Sequence, residues 1–254
     1  MRIPRTITAT LAAVVTTGTL VLTAGAASAV TAPSITSGEQ AAYAGQGAQF
    51  RFVTATFTLP DATKFASEVA GVGFSVQLIS SENTWFVFSF NTTTSSGVYA
   101  ASYANEFNGG QSIGSSGALG PNGWASAGDQ VTLSLYYDRA GHDHLTASDI
   151  TTGEAHTVAV AIPSTSYTQA RVGAEFGDTP SSLVTYTPPA SETPLVTFSG
   201  VRLTTYSGHR SGLTSWWTHR KVIMTSTGDS SGVVEVRPHD LSHVGSVFEV
   251  FLEP

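Results

Sequence analysis

With 18 acidic side chains against 11 basic ones over 254 residues, and a formal net charge of −7, the chain has no electrostatic footprint for nucleic acid or an anionic membrane surface. Only 11% of the residues are charged and none is cysteine, so any core must hold without disulfides. Ser, Thr and Gly abound instead, which suits strands with one apolar face and one wet, hydroxyl-rich face.

In chain order, Arg2 and Arg5 precede a charge-free run whose apolar members include Leu11, Val14, Val15, Leu20, Val21 and Leu22. The run closes on Ala27-Ser28-Ala29. A positive start, a short apolar stretch and a small-x-small end read as a signal peptide over 1–29, cut on export. Thr16 to Thr19 interrupt the run and argue against an uncleaved membrane helix. No later stretch has membrane-spanning length, so a secreted, extracellular protein without a membrane anchor is expected. Cleavage would leave about 225 residues with nine basic against 18 acidic side chains, enough chain for one sandwich domain.

Residues 30–45 (VTAPSITSGEQAAYAG) are small, polar and aperiodic, and read as a flexible arm ahead of a single domain over 46–254. The first strong strand is FRFVTATFTLP, where Val53, Ala55, Phe57 and Leu59 alternate with Thr54, Thr56 and Thr58 until Pro60 stops it. GFSVQLI, TWFVFSF and VYAASYANEF follow, then QVTLSLYYD, HLTASDI, HTVAVAI and RVGAEF. LVTFSGVRL, KVIMTS, VVEVR and VFEVFL complete the series. Turn signals such as Pro121-Asn122-Gly123, Ala140-Gly141-His142 and Thr152-Gly153 punctuate it. Ala66–Ala70 allows one helical turn at most. About a dozen short strands without helices between them predict an all-β fold of two antiparallel sheets packed face to face, a jelly-roll sandwich.

Chemistry-bearing residues are few. Glu106 and Glu175 both fall on predicted strands, and a glycosidase would need such a carboxylate pair about 5 to 9 Å apart. The Glu-x-Asp-x-x-Glu signature of some sandwich-fold glucanases is absent. His142 and His144 share one strand face, and His239 and His243 stand four apart, but neither pair has a third ligand at a defined spacing. No metal and no cofactor are therefore expected. There is no Gly-x-Ser-x-Gly elbow. Trp216 and Trp217, in SGLTSWWTHRK, could form a stacking platform for a sugar or peptide, against the alternative that one of them caps the core. Trp85, Phe86 and Phe88 mark a central strand covered on both faces.

From Phe50 onward the order of motifs resembles the glutamic peptidases (eqolisins), secreted acid-active enzymes with a concanavalin A-like sandwich. FVTATFTLP, GVGFSVQL and VYAASYANEF carry the resemblance. So do AGDQVTLSLYYDRAGHDHLTASDITTGE, RVGAEFGDTP and TFSGVRL. The resemblance implies a catalytic glutamine and glutamate: a carboxyl group moves protons while an uncharged amide donates to the developing oxyanion. In the place of the glutamine's strand stands TWFVFSF, with Phe88 or Ser89 at the amide's position. Gln77 lies on the neighbouring strand and would need a different register to substitute. Beyond Ala174-Glu175-Phe176, Asp178 is the carboxylate nearest the family position. Ala42-Tyr43-Ala44-Gly45 replaces an Asn-Trp motif.

These departures lead the sequence to predict a secreted, monomeric, non-catalytic sandwich that binds an extracellular polysaccharide or protein, with Trp216, Trp217 and Glu106 as candidate contacts. The alternatives are an acid endopeptidase with a rearranged site built on Asp178, Glu175 and Gln77, or a glycan-active enzyme using Glu106 and Glu175.

Overall fold

The computed structural model describes residues 34–37, 40–61, 72–80, 85–92, 98–107, 111–162, 166–176, 194–214, 217–225, 234–242 and 244–252, and no helix occurs among them. The expected signal peptide and Ala66–Ala70 lie outside the described residues. Two layers of antiparallel strands share one core, and a single long strand, β2 (Gln40–Thr58), belongs to both.

In the first layer, the N-terminal half of β2 lies between β13 (Thr218–Thr225) and β10 (Tyr167–Phe176). Outward from β10 come β3 (Val72–Ser80), β4 (Trp85–Thr92), β5 (Tyr99–Phe107) and β6 (Gln111–Leu119). β1 (Ser34–Ser37) pairs with β13 in parallel. In the second layer, the C-terminal half of β2 lies between β7 (Gln130–Tyr137) and β11 (Val196–Thr205). β8 (His142–Asp149) and β9 (Ala155–Ala161) extend it beyond β7, and the two-residue β12 (Arg210–Ser211) pairs with β11. β15 (Phe248–Leu252) also pairs with β11, and β14 (Val234–Pro238) joins β15 to β13.

The change of layer along β2 has a local cause. Gly47 adopts φ 85°, a left-handed conformation that a side chain disfavours, and the pairing with β10 shifts register between Gln46 and Phe50. Beyond this kink the predicted alternation holds, with Val53, Ala55, Phe57 and Leu59 buried and Thr54, Thr56 and Thr58 turned away from the core. Aromatic rings close the space between the layers. Phe57 packs at 5.5 Å from Phe74 and 5.3 Å from Phe198, and Phe198 stacks on Phe248 at 5.0 Å. Each fully buried Phe is worth on the order of 2 kcal/mol, so this cluster can replace the missing disulfides.

The expected arm over 30–45 is strand from Ser34 to Ser37 and again from Gln40. Ala41, Ala42, Tyr43 and Ala44 are buried. The reason is steric: Gly173 stands directly opposite Ala42, and a Cβ on Gly173 would lie 2.3 Å from the Ala42 Cβ. Only small residues let these strands approach so closely, and small residues are what made the segment look unstructured. β6 (QSIGSSGAL) is a further strand that sequence alternation does not reveal.

Candidate active site

On β10 the period-2 rule turns Ala170, Val172, Ala174 and Phe176 into the core, leaving Gln169, Arg171, Gly173 and Glu175 on the opposite face. β3 runs beside it with Gln77 opposite Arg171, Ser75 opposite Gly173 and Gly73 opposite Glu175. Three polar side chains, two from β3 and one from β2, converge on Glu175. The Ser75 hydroxyl donates to Glu175 Oε1 at 2.6 Å, Gln40 Nε2 donates to the same oxygen at 3.3 Å, and Gln77 Nε2 makes a short hydrogen bond to it. Gln77 Nε2 also donates to Ser75 Oγ at 3.1 Å, so both amide hydrogens are committed. Gln77 is buried, and its Oε1 has no partner among the described residues.

A cation completes the cluster. The Arg171 guanidinium hydrogen-bonds Gln40 Oε1 through one nitrogen and Gln169 Oε1 at 2.8 Å through another. Gln40 is thereby oriented with its carbonyl toward Arg171 and its amide nitrogen toward Glu175. Burial draws the Arg171 pKa down to about 10 while the charge of Glu175 pulls it upward, so the group stays cationic through acid and neutral pH. On the other side of Glu175, Gly73 makes room. A Cβ there would lie 2.3 Å from Asn91 Oδ1, and Asn91 in turn donates to Ser89 Oγ at 2.8 Å and to Ser102 Oγ.

Arg171→Met is expected to move the pH dependence of any Glu175-linked activity upward, because removing a nearby positive charge disfavours the carboxylate. A pH–rate profile of this variant beside the wild type reads the shift directly. An unchanged profile would dissociate Arg171 from the titration of Glu175.

The sequence-predicted residues fare unequally. Glu175 and Gln77 are brought together, and Gln77 needs no change of register, since β3 already turns it to the same face. Phe88 is in the core, whereas Ser89 faces the site from β4 opposite Ser75. Asp178, Trp216 and His243 lie outside the described residues. Trp217 is buried with its ring 5.2 Å from Phe50, edge to face, and is no exposed stacking platform. The space it fills comes from Gly45, whose Cβ would lie 3.0 Å from the indole.

The Glu106–Glu175 pairing fails on register. Glu106 Cα lies opposite Trp85, which pairs with Ile79, whereas Glu175 lies opposite Gly73. Three strand spacings and six residues separate the two backbones, roughly 25 Å and too far for paired glycosidase carboxylates. Among the described residues, no group of three or more His, Asp or Glu side chains could hold a metal ion. Sequence reasoning missed Ser75, Arg171, Gln40 and Asn91. Period-2 alternation in GFSVQL and RVGAEF could have flagged the first two. No local signal marks the others.

No family model matches the chain, and no curated protein sequence matches it. Its backbone, however, superposes on scytalido-glutamic peptidase with a bound transition-state-analogue inhibitor, with a TM-score of 0.62 at 18% identity, covering 85% of this chain and 98% of that one. The fold is that of the glutamic peptidases. A second eqolisin structure, SCP-B with the tripeptide Ala-Ile-His, gives a TM-score of 0.58 at 18% identity over the same shares of the two chains. The glutamic-peptidase fold thus spans nearly the whole of those enzymes, although fewer than one residue in five is retained.

Proposed function

We propose that this protein is a secreted acid endopeptidase in which Glu175 and Gln77 perform the hydrolysis. The contact between the Gln77 amide and the Glu175 carboxylate, made on one polar sheet face of a glutamic-peptidase fold, carries the reading. Peptide hydrolysis needs a group that takes a proton from water and later returns it to the departing amine. It also needs a donor for the oxygen that becomes negative when water attacks the carbonyl. Glu175 is suited to the first task. Its carboxylate receives the water proton as the oxygen–carbon bond forms, then passes it to the nitrogen as the carbon–nitrogen bond breaks. Gln77 is suited to the second: its amide stays uncharged at every pH, Ser75 holds one of its N–H groups, and the other, given to Glu175 in the free protein, is released to the oxyanion once the carboxyl group takes up the water proton.

The non-catalytic binding scaffold expected from the sequence would use the same face but has no need of a carboxylate locked against an amide. Support for a peptide substrate comes from the two similar structures, which hold a transition-state-analogue inhibitor and a tripeptide respectively. Denatured casein incubated with the purified protein between about pH 2 and pH 7 tests the proposal. Cleavage is expected at the acid end and should fade toward neutrality. Absence of cleavage at every pH, from protein shown by circular dichroism to be folded, would return the chain to the binding reading.

A further inference from the structure

The second layer carries a cationic cleft on the opposite side of the sandwich from Glu175. Phe52 pairs across β2 with Tyr136 on β7 and Thr204 on β11, and Arg210 on β12 stands opposite Thr204. The neighbouring residues Val53, Leu135 and Leu203 face the core, so this row lies on the outer face. Thr204 is nonetheless only 3% exposed. It forms the floor of a cavity of about 280 Å³ lined by Arg51, Phe52, Tyr136, Arg202, Thr204 and Arg210.

The charge pattern here needs explaining. The whole chain has 11 lysines and arginines against 18 acidic residues, yet three arginines line one small cleft. Among the described residues, none of the three guanidiniums is ion-paired or hydrogen-bonded. Arg51 Nε is buried without an acceptor, while its guanidinium carbon lies 5.8 Å from the centre of the Tyr136 ring. Three like charges repel one another, and a buried N–H without an acceptor costs about 1 to 3 kcal/mol. An oxyanion entering the cleft offsets the like-charge repulsion and gives the guanidiniums an acceptor. Planar guanidinium forks match carboxylate and phosphate oxygens in geometry as well as in charge. The size agrees, since the cavity sits just under the usual range of ligand pockets, about 300 to 1,000 Å³, and suits a single ring or a short chain.

We propose that this cleft is a binding site for a small oxyanion-bearing ligand, a carboxylate or phosphate held by Arg51, Arg202 and Arg210, with its carbon framework against Tyr136 and Phe52. It is separate from the peptidase site and does not depend on that reading.

Calorimetric titration of the full protein at low ionic strength with glucuronate, inorganic phosphate and neutral glucose tests it. Saturable binding of glucuronate or phosphate without binding of glucose is expected, and the tighter of the two identifies the source of the oxyanion. Arg202→Gln with Arg210→Gln should weaken that binding by about tenfold or more, two charge-assisted contacts being lost. Glu175→Gln should leave it unchanged, which separates this site from the catalytic one. Arg51→Gln, whose side chain is partly buried, serves as a check in case the double variant fails to fold. Equal binding of glucose and glucuronate, no binding of either anion, or anion binding that survives the arginine substitutions would each overturn the proposal.

Discussion

Glu175→Gln is expected to lower casein cleavage at acid pH by about a thousandfold or more while the protein stays folded. The substitution is nearly isosteric. A glutamine oxygen at this place can still accept from Ser75, Gln77 and Gln40, the three groups that donate to Glu175 Oε1. What it cannot do is exchange a proton with water or with the departing nitrogen. The loss should therefore appear in kcat with little change in KM, because an interaction made only in the transition state is removed. Gln77→Met tests the other half of the pair. It keeps the volume of a side chain buried in β3 but removes both N–H donors, and an oxyanion donor is worth about a hundredfold to a thousandfold in kcat. Combining the two substitutions should cost little more than Glu175→Gln alone, since groups that act on one transition state are not additive. Retention of cleavage within about tenfold of wild type by the Glu175→Gln protein would remove Glu175 from the chemistry, whatever the fold.

How far the site could be read in advance depends on which residues carry a periodic signal. RVGAEF and GFSVQLI alternate cleanly, so Glu175 and Gln77 could be named from sequence. Their meeting could not, because it depends on β3 and β10 pairing across about a hundred residues of intervening chain, with Gln77 opposite Arg171. The resemblance pointed to the strand TWFVFSF for the amide, and among its described side chains Ser89 faces the site; the glutamine comes from one strand further in. Gln40 was hidden for a different reason. QAAYAG has neither alternation nor bulk, and it is ordered by close contact with Gly173 on β10 and by Trp217 lying over Gly45. The Trp216-Trp217 doublet looked like a surface feature for the same reason: glycine at position 45 creates a slot for an indole, and a missing side chain leaves no mark in a hydrophobic pattern. The strands with strong alternation, β2 beyond its kink, β7 and β8, were legible because packing and propensity agree in them.

A last expected result concerns the conditions under which the fold persists. Asp143→Asn should flatten the dependence of stability on pH, leaving the variant more stable than wild type near neutrality. Asp143 lies on the core side of β8, fully buried. Tyr167 on β10 donates to its Oδ2 at 2.5 Å, while Oδ1 has no partner among the described residues. Tyr137 packs edge-on against Tyr167 at 5.6 Å, so the carboxyl group sits beneath a wall of rings rather than against a cation. Burial, and secondarily the charge of Asp138, pushes the Asp143 pKa up to about 7, against the opposing effect of the Tyr167 hydrogen bond. The folded state therefore holds a proton that the unfolded chain, with an ordinary carboxyl pKa near 4, has already released. The resulting stabilisation is complete below the unfolded value and is lost as pH rises through the folded one. Stability should fall between about pH 4 and pH 7, by up to about 1.4 kcal/mol for each unit between the two pKa values. An amide at position 143 accepts the Tyr167 hydrogen bond and never ionises, so this component of the fall disappears. Urea denaturation of both proteins at about pH 3, 5 and 7 measures it. Parallel stability curves for the two would show that Asp143 does not set the slope; converging curves toward acid, with the asparagine variant ahead at neutral pH, would tie the acid preference of the fold to this one buried carboxyl group, independently of the chemistry at Glu175.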